Sequence, residues 1–192
     1  FAFADIDPFN KLLLGYDETW WDVIRLRNEF VFPSLWLPVN WSQLAFDVAV
    51  VSMAISVASG PVRRLLAAVL LVGLAGVGLA ILGADLLRNV LATSLQLWRT
   101  HWLLHWCAMV ALPFVAVKGY RRISMGAIFV ALLLVGTLAT RFTAALAALA
   151  IACALWIGPV DRLKISESLR AAVTAVLGIA AGIGALDQAS LI

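Results

Sequence analysis

The stretch QLWRTHWLLHW, residues 96–106, sets one arginine, two histidines and three tryptophans into an otherwise apolar run. Three kinds of chemistry fit these residues. His101 and His105 stand four apart, a spacing at which two imidazoles on one helix face can share a metal ion. No third ligand or acidic residue lies near them in the run. Two residues on one helix face also cannot reach both sides of a haem ring. Metal or haem binding is therefore the weakest of the three readings. Arg99 carries a planar fork of donors that suits phosphate or carboxylate. A membrane-embedded arginine is costly and tends to be paired or functional, whereas one at a helix end can snorkel to lipid headgroups. The third reading is an interfacial belt in which Trp98, Trp102 and Trp106 mark the membrane boundary. In a continuous helix, Trp98, His101 and His105 share one face, and Arg99, Trp102 and Trp106 the neighbouring one.

The elements that position this cluster follow from composition. The chain is 64% apolar and 13% charged, with a mean hydropathy of +1.00. Soluble domains sit near half apolar and a quarter charged, so an all-α, polytopic transmembrane helix bundle is expected. The net charge of +3 comes from basic residues between apolar runs. Membrane topology accounts for them, and no nucleic acid partner is implied. Cys107 and Cys153 lie inside apolar runs and read as small buried hydrophobes, not as a disulfide. The sequence holds no Ser-His-Asp arrangement, CxxC, P-loop or GxGxxG, which leaves soluble-type catalysis without support.

Six apolar runs approach the ~20 residues needed to cross a bilayer: 42–59, 65–83, 97–117, 123–140, 142–158 and 170–187. Arg63 and Arg64, then Lys118, Arg121 and Arg122, then Arg162, Lys164 and Arg170 follow the first, third and fifth runs. The positive-inside rule puts these in the cytoplasm. Residues 1–41, the 84–96 connection, Arg141 and the C-terminus then face outward. Two parts are expected: an exoplasmic interfacial segment, 1–41, and a helix bundle, 42–192. In the first, Asp17 and Glu18 read as a helix start. Trp20, Trp21, Ile24 and Phe30 then fall to one side of a short surface helix, opposite Asp22, Arg25, Arg27 and Glu29. Pro33 and Pro38 favour an extended path toward Trp36 and Trp41.

Small residues should mark helix contacts, namely Gly178-x-x-x-Gly182 and the spacing Ala144, Ala148, Ala152. Asp5, Asp7, Asp17, Asp22 and Glu29 are exoplasmic acids, each more readily a solvated surface charge than a general base. Asp47 and Asp85 sit near membrane ends, and Asp85 to Arg88 has the i, i+3 spacing of a helical ion pair.

Two stretches, RLRNEFVFPSLW at 25–36 and LQLWRTHW at 95–102, resemble the polytopic membrane glycosyltransferases of the C superfamily and the related bacterial polysaccharide polymerases and ligases. The resemblance spans roughly residues 16–106 and rests on residue character. It implies a bacterial inner-membrane protein of the cell envelope with an exoplasmic N-terminal segment, acting on a polyprenyl-phosphate-linked sugar. Arg25, Arg27, Gln96 and Arg99 would contact the donor phosphate, and Trp36, Trp98 and Trp102 would line the site. A divalent metal is the candidate cofactor, with His101 and His105 its low-ranking ligands. The bilayer, the lipid-linked sugar and other membrane proteins are the implied partners. The family's acidic residue usually lies in a first exoplasmic loop after a first helix, which is not found here. If the resemblance holds, the chain is the C-terminal part of such an enzyme. The competing expectation is a non-catalytic membrane subunit or scaffold of a larger complex, binding a pigment or haem through His101 or His105. A transporter is disfavoured, because no pair of broken helices is evident.

Overall fold

The computed structural model describes residues 14–139, 141–158 and 166–189. Asp5, Asp7, Arg162 and Lys164 lie outside them. The described chain is mainly helical and forms no strand among the described residues, only an isolated antiparallel bridge between Gly15 and Asn89. Its helices are α1 (Glu18–Arg27), α2 (Pro38–Val57), α3 (Gly60–Ala80), α4 (Val90–Leu95), α5 (Thr100–Arg122), α6 (Gly126–Leu138), α7 (Phe142–Ile157) and α8 (Glu167–Ala189). A π-helical turn, Ile81–Leu86, prolongs α3. Three helical stretches are long and apolar enough to cross a membrane: Gly60–Leu86, Val90–Arg122 and Glu167–Asp187.

Each expected run contains a helix, but several boundaries move for physical reasons. Helix α2 starts at Pro38, four residues early, because proline is favoured in a first helical turn where its missing N–H has no partner to lose. Pro33 likewise opens a 3-10 turn, Pro33–Leu35, instead of an extended path. The run 97–117 is not one helix. It begins as a 3-10 turn, Leu97–Arg99, after Gln96 takes a left-handed conformation (φ +49°) that ends α4. The run 123–140 shortens to the 13 residues of α6. At 1.5 Å per residue these span about 20 Å, less than a hydrocarbon core of ~30 Å.

The described chain divides into two compact units, which interleave along the sequence. The first takes residues up to Leu37 together with Ala68–His105. Within it α3 passes close to the start of α5. A Cβ on Gly76 would fall 2.8 Å from the Leu97 carbonyl oxygen and run into Thr100, and one on Gly73 would lie 3.0 Å from Leu104 Cβ. Only glycine lets the two backbones approach so closely. The Thr100 hydroxyl donates to the Leu97 carbonyl at 2.9 Å, tying the Leu97–Arg99 turn to the start of α5.

The second unit holds Pro38–Ala67 and the residues from Trp106 onward. Helix α6 is its centre, packed by α7 and α8. Phe129 is fully buried and stacks on Trp156 at 5.5 Å. The Trp156 indole N–H donates to the Ser56 hydroxyl of α2 at 3.3 Å. The alanine stripe on α7 turns inward at Ala148 and Ala152 as expected, with Ala145 buried in place of the exposed Ala144. The expected contact at Gly178 and Gly182 is absent among the described residues, since a Cβ at either position meets nothing within 4 Å. Gly184 takes that role instead. Its Cβ would fall 2.8 Å from the Leu138 carbonyl carbon at the end of α6. Cys107 and Cys153 are free thiols, as expected, and both are half-buried.

Gly76→Val should lower the thermal midpoint of the detergent-purified protein, at an overpacking cost of about 1–3 kcal/mol. Gly178→Val should leave the midpoint within error of wild type. Equal midpoints for the two variants would remove the α3–α5 close approach from the account.

Candidate functional site

The first unit gathers aromatic and basic side chains onto short, capped elements. Asp17 starts α1 by accepting the Trp20 N–H at 2.9 Å, the N-cap that its residue type predicts. The helix presents Trp21 inward, leaving Trp20 and Phe30 61% and 48% exposed. This differs from the expected grouping, because Phe30 follows the end of α1 in a separate 3-10 turn, Glu29–Val31. Trp21 meets Phe32 edge-on at 5.1 Å and Tyr16 at 6.3 Å. Two guanidinium groups use the same indole, Arg25 at 5.6 Å and Arg88 at 5.1 Å from a ring centroid.

Arg88 reaches Trp21 because the backbone around it is bent. It has φ +48°, a left-handed conformation uncommon for a residue with a Cβ. The strand-like bridge holds that bend: Tyr16 N–H donates to the Arg88 carbonyl at 2.9 Å, and Val90 N–H to the Leu14 carbonyl at 3.0 Å. The expected helical pairing of Asp85 with Arg88 is lost in the π-turn and this bend. Asp85 instead accepts two hydrogen bonds from Ser34, from its N–H at 3.0 Å and its hydroxyl at 2.6 Å. The carboxylate thereby ties the Pro33–Leu35 turn to the π-helix.

A second cluster forms around Trp98, which is buried. Phe30 lies 5.6 Å from it, His101 stacks at 5.7 Å, and Trp102 meets it edge-on at 5.6 Å. Trp36 completes the set 5.3 Å from His101, its own indole N–H donating to the Phe30 carbonyl at 2.8 Å. Arg99 is exposed, with its guanidinium 5.7 Å from Trp98 and 5.8 Å from Trp102. Contacts of this kind stabilise a cation by roughly 0.5–1 kcal/mol at exposed sites, and they leave its N–H edge open to an anion.

His101 Nδ1 is 2.6 Å from the Trp98 carbonyl. A carbonyl can only accept, so Nδ1 is the donor in this contact. Among the described residues no group of three His, Cys, Asp or Glu side chains could hold a metal.

Three of the four buried side-chain polar atoms that lack a partner among the described residues belong to this unit: Arg25 Nε, Gln96 Oε1 and Trp98 Nε1. Such atoms are costly to leave unpaired.

The structure thus unites Trp36, Trp98, Arg99, His101 and Trp102. Arg25 stands with Arg88 on Trp21, Arg27 is exposed at the end of α1, and Gln96 occupies the left-handed turn before Trp98. The sequence reading did not single out Trp21 as a platform for two arginines, nor the Ser34–Asp85 link. Those depend on a π-turn and a positive φ with no periodic signature. No protein-family model, curated protein or solved structure matches the chain.

Asp85→Ala should speed hydrogen exchange at the Ser34 amide by about tenfold or more, given the ~1.5–3 kcal/mol typical of bonds to a charged acceptor. An unchanged rate would mean the carboxylate does not hold that turn in solution.

Proposed function

We propose that this chain is a membrane-embedded protein that binds a lipid-linked phosphate or pyrophosphate at its aromatic and arginine-rich unit, in the manner of a membrane glycosyltransferase. The carrying observation is Arg99. Its charge rests on two indole faces, with the unpartnered Trp98 indole N–H and Gln96 carbonyl oxygen in the same short segment.

The membrane placement is supported by exposure. Only 28%, 22% and 11% of the most apolar windows of Gly60–Leu86, Val90–Arg122 and Glu167–Asp187 is buried within the protein. Leu71, Val110 and Leu186 are each at least 70% exposed, a pattern that suits hydrocarbon better than water. In the proposed topology all six long apolar runs lie in the bilayer. The shorter helices, α6 and α7, are accommodated by packing against their neighbours. The basic turns at Arg63 and Arg64 and at Lys118–Arg122 are cytoplasmic, in an inner membrane. The ends of α3 and α4, the start of α5 and the N-terminal segment are then exoplasmic.

Chemically, Arg99 neutralises charge on the phosphate as the sugar departs. Trp36, Trp98 and Trp102 provide flat apolar surfaces for sugar or prenyl chain. Arg25, Arg27 and Arg88 add attraction for the anion. Activation of an acceptor hydroxyl needs a carboxylate acting as general base. Asp17 and Asp85 already serve as a helix cap and a turn tether, so neither is the base in this scheme.

Arg99→Ala should weaken binding of a polyprenyl-phosphate-linked sugar, followed by tryptophan fluorescence, by roughly 10–100-fold, the range for one lost charge-assisted contact. Arg99→Lys should recover part of it, and Arg141→Ala should match wild type. Wild-type affinity in Arg99→Ala would overturn the role of this residue. A visible absorption band that vanishes in His101→Ala would favour a cofactor-binding membrane subunit instead.

A further inference from the structure

The second unit contains a cavity of about 600 Å³ between the end of α2, the first turns of α3 and residues 107–118 of α5. Its size lies within the ~300–1,000 Å³ of typical ligand sites. Val57, Leu65, Leu66, Val110 and Phe114 supply apolar wall, and Lys118 lines it too. The cavity is a groove along the helices, because Val62, Leu65 and Val110 keep 58%, 62% and 77% of their surface exposed. Its polar groups, the Ser59 hydroxyl and the Lys118 ammonium, stand where α2 gives way to α3 and where α5 nears its end. The Lys118 ammonium lies 5.7 Å from the Phe114 ring centroid, so the cation rests on the groove wall.

The two segments that line the groove carry charge of one sign. Arg63 and Arg64 sit in the first turns of α3, and Arg121 and Arg122 follow Lys118 in α5. Segments 54–66 and 106–122 contain no Asp or Glu. The occupant that fits is long and apolar, with an anionic end.

We propose that this groove holds an acyl chain of an anionic phospholipid whose phosphate is met by Lys118. Phosphate suits this lysine as a compact point charge on a flexible stem. The surrounding arginines raise the local concentration of anionic headgroups, as basic clusters next to membrane helices do. Phosphatidylcholine, whose headgroup is neutral overall, lacks the net charge that this basic surround selects. The inference rests on the membrane placement proposed above. It does not depend on the sugar-binding reading, since every groove residue belongs to the second unit.

The test uses the full chain, reconstituted into phosphatidylcholine vesicles with and without phosphatidylglycerol, then released into mild detergent for native mass spectrometry. Wild type should carry phosphatidylglycerol at least fivefold in excess over its share of the vesicle lipid. Lys118→Gln should lose that excess. Val110→Trp, a substitution at an exposed position of the groove, should lower retention of both lipids. In a Cys153→Ser background Cys107 is the chain's single thiol and lines the groove. Its alkylation should be several-fold slower with phosphatidylglycerol present. Equal retention of the two lipids by wild type, or an undiminished excess in Lys118→Gln, would overturn the lipid site. Alkaline carbonate extraction separates the two failures. Protein that stays in the vesicles but shows no lipid preference refutes this site alone, whereas protein that is washed off refutes the membrane placement as well.

Discussion

The close approach of α3 to the start of α5 is the constraint on which the Trp98 cluster depends. Gly73 and Gly76 have no side chains, so the Leu97 carbonyl, Thr100 and Leu104 can come against the α3 backbone. That contact fixes the Leu97–Arg99 turn, and the turn decides where Trp98 and Arg99 go. Trp98 is driven inward to meet Phe30 and His101, while Arg99 is left on the rim over two indoles. Small residues at such an approach let the two backbones pack closely and gain van der Waals contact.

Irregular backbone then does what regular helix cannot. A continuous helix through 84–105 would place Asp85 beside Arg88 and Gln96 one turn before Arg99. The π-turn, the left-handed Arg88 and the left-handed Gln96 break that register in sequence. As a result Asp85 serves Ser34, Arg88 serves Trp21, and Gln96 ends α4. Non-Gly residues in left-handed conformations persist when their surroundings hold them there. The bridged Leu14–Tyr16 segment supplies that hold at Arg88.

How much could be read from sequence follows from which signals are periodic. Helix existence was legible because 18-residue apolar runs have few alternatives. The cap at Asp17 was legible because a short acidic side chain before an amphipathic stretch has a known partner in the N–H three residues on. The aromatic–arginine grouping of Trp98, Arg99, His101 and Trp102 was also visible, since near neighbours on a turn stay together whether that turn is α or 3-10. The faces were less so. Gly178-x-x-x-Gly182 matches a contact motif yet faces outward, and Gly184, two residues on, makes the approach. Small and apolar residues stand on both the buried and the exposed sides of α8. Composition therefore cannot say which small residue faces the neighbour.

The same loss of contrast bears on how the chain keeps its charges apart. Lys118 adjoins an apolar groove with no acid in segments 54–66 and 106–122, and Arg122 nearby in sequence lies over the Trp156 indole. Arg25, Arg88 and Arg99 of the first unit likewise rest on indoles. An ion pair would neutralise a guanidinium and spend its donors on a fixed carboxylate. An aromatic face stabilises the cation while leaving its N–H groups directed elsewhere. Indole contacts are therefore what an arginine needs if it is to be held in place and still bind an anion from outside the protein. An acidic residue in the place of Trp98 or Trp102 would stabilise Arg99 at the expense of that capacity.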